Sequence, residues 1–169
     1  MRNLAAFVCI LSAFAVSGCS HDPAAKAPPS RTVSARTEAP PCVPTKAILP
    51  GTDFLPRVTD EVRTAAIKDL LTKIAACRPL PYDHDGIVFG NREGLLEPRP
   101  RGYYREYTLP IPGRDIGDAP VPVNVGTQTF TTGDITSPRG PERLVIGGGE
   151  RIFYTPDHYA HFVELRIVP

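Results

Sequence analysis

Four polar clusters in the carboxyl-terminal half of this 169-residue chain carry complementary chemistry: Phe89-Gly90-Asn91-Arg92-Glu93-Gly94, Glu106, Arg139 with Arg143, and Asp157-His158-Tyr159. A carboxylate that accepts a proton, an imidazole that donates one and two guanidiniums that grip a planar anion suit acid–base chemistry at a phosphate, without a metal. An RNA phosphodiester fits such a set. Its 2′-hydroxyl already sits beside the target phosphate, so positioning and charge neutralisation are what remain to be supplied.

Glu106 lies within Arg101–Thr108, a run that reads as a short aromatic strand. The strand period of two puts Tyr104, Glu106 and Thr108 on one face and Tyr103, Arg105 and Tyr107 on the other. In isolation Glu106 is the solvated outward residue that most strand glutamates are. The histidines number four and form no metal-ligand pattern with the cysteines; only its Asp-His-Tyr context separates His158 from His84 and His161. On a strand, His158 and His161 would face opposite ways.

The elements that must position these side chains begin with a helix. Val62, Ala66, Ile67, Leu70, Leu71, Ile74 and Cys77 recur at three- and four-residue spacing, which predicts a helix from Thr59 to Cys77, capped by Thr59 and ended before Pro79. Short β-like runs follow at Ile87–Phe89, Tyr103–Leu109, Arg143–Ile146, Arg151–Tyr154 and Phe162–Val168. Strands after a helix predict an α+β fold, with an amino-terminal helix or helices packed on a twisted antiparallel sheet. Pro112–Pro138, rich in Gly, Pro, Asp and Thr, reads as a long insert, about 113–137, with a strand or hairpin near Val123–Phe130.

The amino-terminal part reads differently. Residues 1–18 form a lipoprotein-type signal peptide, with Arg2, the apolar run Leu4–Val16 and small residues before Cys19, whose sulfur would carry the lipid. Ordinary signal cleavage with an incidental thiol is the alternative. Residues 19–41 are a Pro/Ala-rich tether without bulky apolar groups, and residues 42–169 make the folded domain. Of the cysteines this leaves Cys42 and Cys77, which read as a disulfide in an exported chain, or else as two free buried thiols.

Lys+Arg total 19 against 18 Asp+Glu, so no global charge pulls the chain onto nucleic acid. The basic residues are nonetheless segregated: the last lysine is Lys73, and beyond it arginine, the better fork for phosphate, takes over.

Asn91-Arg92-Glu93-Gly94, Gly102-Tyr103-Tyr104-Arg105-Glu106-Tyr107-Thr108 and Asp157-His158-Tyr159, in that order, resemble the microbial guanyl-specific (barnase-like) ribonucleases, in particular their small secreted actinobacterial members. The likeness runs over roughly 55–167 and includes the lead-in from Tyr82 to Phe89. It implies an endoribonuclease that cleaves single-stranded RNA 3′ of guanosine through a 2′,3′-cyclic phosphate, with no cofactor. Glu106 falls on the family's general base, His158 on its general acid, and Arg139 and Arg143 on its phosphate arginines. Phe89, Gly90, Asn91, Arg92 and Glu93 fall on the loop that wraps guanine, with Tyr104 and Tyr159 bordering the base. The resemblance further implies export, an inhibitor protein or both, with an acidic inhibitor as the expected partner; the chain is expected to be a monomer, and the leader, not the resemblance, is what predicts membrane contact through a lipid at Cys19. A ribonuclease-like module that binds RNA or protein without turnover is the rival reading.

The chain departs from the family pattern in three places. The stretch 114–137 is longer than the usual connection, so Arg139 is aligned across a gap. Neither Lys68 nor Lys73 matches the family's phosphate lysine, and no cysteine stands near the chain end, so Cys42–Cys77 would be a different staple.

Overall fold

Among residues 42–169, which the computed structural model describes, one helix covers one face of a six-stranded antiparallel sheet. Residues 1–41, where a signal peptide, the lipid-bearing Cys19 and a tether are expected, lie outside the described residues. The elements are β1 (Asp53–Leu55), α1 (Glu61–Ala75), β2 (Ile87–Val88), β3 (Tyr104–Thr108), β4 (Pro122–Val125), β5 (Gln128–Thr131), β6 (Arg143–Gly147), β7 (Arg151–Thr155) and β8 (Val163–Val168). The large sheet runs β1-β8-β7-β6-β3-β2, and β4 and β5 form a separate hairpin.

The helix is shorter than its apolar period predicts, for reasons visible at both ends. Asp60, not Thr59, is the N-cap, its Oδ1 accepting from Arg63 N at 2.9 Å, while Thr59 N donates to Asn124 O. At the other end Cys77 N donates to Ile74 O and Arg78 N to Lys73 O, a Schellman closure with Cys77 at φ 52° where glycine is usual. The Cys42–Cys77 disulfide ties that closure to the incoming chain.

The stripe is also rotated from expectation. Ile67, Leu70, Leu71 and Ile74 are buried, but Val62 is exposed and Arg63 turns inward instead. Arg63 is accommodated because Glu142 accepts from its Nε and Nη2 and the Tyr154 hydroxyl donates to the same carboxylate; all three side chains are buried.

Strand alternation divides the sheet into two faces. Tyr107, Leu144, Ile146, Ile152, Tyr154, Val163 and Leu165 pack with the helix. The opposite face holds two cross-strand rows, Glu106–Val145–Phe153–Glu164 and Thr108–Arg143–Thr155. The strand β1, unforeseen because three residues show no period, pairs with the chain end at β8. The insert makes the β4–β5 hairpin, and Val123 and Val125 enter the helix-side core, so it is part of this domain and not a second one.

Candidate active site

Register alone brings the first two charged groups together. Glu106 pairs with Val145, and Arg143 stands two residues before Val145 on the same strand, so Glu106 and Arg143 are diagonal neighbours on one face, about 7–8 Å apart at the backbone. Arg143 is only 2 % exposed, and its Nη1 donates to the carbonyls of Arg139, Gly140 and Glu142 at 3.0, 2.8 and 2.7 Å. Those bonds fold the segment before β6 around the guanidinium and fix its direction. Lost hydration, with the charge of Arg139, holds the Arg143 guanidinium below its ordinary range.

Arg139 is aligned by Thr108, whose Oγ1 accepts from its Nε at 2.9 Å, and its Nη2 lies 3.9 Å from Glu106 Oε1. That Nη2 is buried without a hydrogen-bond partner, as is Nε of Arg143. Among the described residues these are donors without acceptors beside a carboxylate, an arrangement suited to an anion arriving from solution.

The loop between β7 and β8 supplies the remaining groups. His158 and His161 sit in this loop and not on a strand, so the opposite-face expectation does not apply to them. Asp157 organises the turn: Oδ1 accepts from His161 N at 2.9 Å and from Thr155 Oγ1 at 3.2 Å, and Oδ2 meets the His161 ring. His158 and Tyr159 both have positive φ, 56° and 75°, a conformation that costs non-glycine residues about 1–3 kcal/mol each. The cost is met by His158 N donating to Pro141 O at 3.1 Å and Tyr159 N donating to Thr155 Oγ1 at 2.9 Å. Gly133 packs behind the turn, where a Cβ would come within 2.9 Å of Pro141 and 3.6 Å of Asp157.

This turn aims the Tyr159 hydroxyl at Glu106, donating to Oε2 at 2.7 Å. Burial, then the bond to Glu106, push the Tyr159 phenol well above its ordinary value, so it remains a donor. His158 is open to solvent on one side, yet partial loss of hydration, then Arg143 and Arg139, lower its pKa from 6.5 against the opposing pull of Glu106. The His158 ring lies 4.8 Å from that of Tyr159, which places the imidazole beside the carboxylate that Tyr159 bonds and Arg139 faces.

The other named residues divide. Phe89 is buried with its ring 5.0 Å from Tyr159 and 5.7 Å from Phe162, which joins the 89–96 loop to the patch. Asn91, at φ 45°, clasps that loop: its amide donates to Leu96 O at 2.8 Å and its Oδ1 accepts from Leu96 N at 3.0 Å. Gly90, Arg92 and Glu93 are exposed on the loop. Tyr104 is buried against Phe153 in the cluster that Phe89 and Tyr159 share, and its hydroxyl donates to Glu97 O at 2.8 Å, so it props the loop from beneath. Thr108 and Thr155 were without a role in the sequence. Alternation placed Thr108 on the Glu106 face, but only the folded row shows that each threonine holds one neighbour of Arg143.

One helix on an antiparallel sheet makes this an α+β domain, with Glu106, Arg139 and Arg143 gathered on or beside the open face of the sheet. Residues 52–166 match the ribonuclease family model. Guanyl-specific ribonuclease St of Saccharopolyspora erythraea is 39% identical over 84 residues, half of this chain and 61% of that protein. Guanyl-specific ribonuclease Sa of Kitasatospora aureofaciens is 37% identical over 94 residues, 56% of this chain and 76% of that protein. The chain therefore spans less than two thirds of the first relative's length. A crystal structure of ribonuclease Sa2 with guanosine-2′-cyclophosphate aligns with a TM-score of 0.44 at 35% identity, over 62% of this chain and 86% of that one. The chain belongs to the microbial guanyl-specific ribonuclease family.

Proposed function

We propose that the chain is an endoribonuclease that cleaves single-stranded RNA on the 3′ side of guanosine. The observation that carries this is the Glu106 carboxylate, bonded to the Tyr159 hydroxyl at 2.7 Å and facing Arg139 at 3.9 Å on the same patch as His158. Glu106 takes the proton from the ribose 2′-hydroxyl, the 2′-oxygen bonds to phosphorus, and the 5′-oxygen leaves with a proton from His158. The product is a 2′,3′-cyclic phosphate. Water then opens it with the two roles exchanged. Arg139 and Arg143 oppose the charge gathering on the non-bridging oxygens, and because both are already desolvated and aimed, little reorganisation is needed.

The 89–93 loop holds the guanine. Its backbone N–H groups meet O6, and the Glu93 carboxylate accepts from N1–H and the exocyclic amine, a pattern adenine does not offer. The domain is proposed to work outside the cytoplasm after removal of residues 1–18, with Cys19 lipidated and 19–41 as tether. The Cys42–Cys77 bond supports an oxidising compartment. An acidic inhibitor protein would cover the arginine-bearing patch of the monomer.

The test is digestion of defined oligonucleotides in chelator with the product ends mapped. Cuts after guanosine with cyclic-phosphate ends are expected, and Glu106→Gln and His158→Ala should each lower kcat/KM by about 10²–10⁴. Uncut RNA, or cutting indifferent to both substitutions, refutes the proposal.

A further inference from the structure

We infer that the cleft between the two ends of the insert is a second nucleotide subsite, which lengthens the RNA track beyond the scissile phosphate; this rests on the function proposed above. The cleft has a volume of about 270 Å³, and Ile111, Arg114, Ile116, Ile135, Pro138 and Arg139 are among its lining residues. The insert ends are joined there by Gly117 N donating to Ile135 O at 2.9 Å, and Arg114 N donates to Ile111 O at 3.2 Å within the turn that opens the insert.

Its chemistry is that of a nucleotide holder. Arg139 belongs to both the catalytic patch and the cleft, so a strand gripped at one continues into the other. Arg114 is held by Nη2 donating to Ala119 O at 2.9 Å, while its Nε is buried without a hydrogen-bond partner. Asp118 offsets part of this charge as an ion pair with Arg114. Asp118 stays 3.7 Å from Arg114 Nε, Asp115 stands in the lining, and Glu142 is engaged by Arg63 and Tyr154. Two guanidiniums suit a phosphate, and Ile116, 59 % exposed, with Ile111 offers an apolar surface to a base or ribose.

The test compares kcat/KM for guanylyl-3′,5′-cytidine with GpCpApA and ApApGpC at low salt. The wild-type chain should favour one extended substrate about ten-fold, the weight of one charged hydrogen bond. Arg114→Gln should erase that preference and leave the dinucleotide rate unchanged; Ile116→Glu, at an exposed position, should do the same without risk to folding. Equal rates at all lengths, or equal losses on short and long substrates, overturn the inference. If the wild-type chain cuts nothing, only the functional reading falls, and binding of the 2′-deoxy oligonucleotides decides the subsite. There Arg114→Gln should lower the slope of log K against log salt by about 0.7 for the extended strand. An unchanged slope, or equal competition by an acidic peptide of the same charge, overturns it.

Discussion

Tyr159 donates its hydroxyl to Glu106 Oε2 at 2.7 Å across 53 positions of sequence, and does so from a backbone with φ of 75°. The same ring lies against Phe89 and Phe162. Tyr159→Phe keeps the ring contacts and removes only the donor, so kcat/KM should fall about ten-fold with little change in melting temperature. Tyr159→Ala should also loosen the 89–96 loop and raise KM for guanosine substrates. Unchanged kinetics of the phenylalanine variant would remove this bond from the mechanism.

Arg139 and Arg143 should separate experimentally. Arg143 satisfies three backbone carbonyls while buried, so Arg143→Ala should cost about 3 kcal/mol in urea unfolding as well as activity. The Arg139 side chain makes one hydrogen bond, to Thr108, so Arg139→Gln should lose activity with a near-normal unfolding curve. Equal stability losses would contradict this division.

His158 titrates below its ordinary 6.5 because lost hydration and two arginines favour the neutral ring. The general acid proposed at His158 works only while protonated, so the alkaline limb of kcat/KM should lie at lower pH than an ordinary histidine would set. Removing a cation raises the pKa, so Arg139→Gln should move that limb to higher pH in whatever activity remains. A limb that does not move would argue that another group sets it.

Glu142 is the carboxylate that lets Arg63 and Tyr154 stay buried. Burial and the adjacent carboxylate push the Tyr154 phenol far up, so it remains a hydroxyl that donates. Glu142→Gln leaves the buried Arg63 with Asp60 as its remaining carboxylate partner and should destabilise by about 1.5–3 kcal/mol by urea denaturation. Because Arg143 bonds the Glu142 carbonyl and not its side chain, residual folded protein should keep its KM.

The Cys42–Cys77 bond closes a loop of 35 positions around the helix. The chain-entropy treatment gives about 4 kcal/mol for such a loop, so Cys42→Ala with Cys77→Ala should lower the melting temperature markedly. Neither cysteine touches Glu106, Arg139 or His158, so activity at low temperature should persist. A loss of activity in a chain that is still folded would reveal a coupling absent from these contacts.

The helix core, the strands and the grouping of Tyr104, Glu106 and Thr108 on one face are legible in the sequence, because periods of 3.6 and 2 are local properties of the chain. The motif order Asn-Arg-Glu, Tyr-Tyr-Arg-Glu-Tyr, Asp-His-Tyr likewise marks the family before any coordinates. Local pattern misses what depends on a distant partner. Val62 looks like the buried residue and Arg63 like the exposed one until Glu142 arrives from 79 positions away. Nothing local to Tyr104 shows that its hydroxyl bonds Glu97 O and so braces the loop.

By itself, then, the sequence determined the class of fold, the family and the types of chemical group, since those follow from periodicity and from residue identity. Only the tertiary structure decided that Thr108 and Thr155 flank Arg143 in one row, that Arg139 reaches Glu106 despite the insert, and that the turn at His158 and Tyr159 is held in the left-handed region. The reason is physical. Cross-strand register and desolvation are set by the packing of segments far apart in the chain, and neither has a local signature.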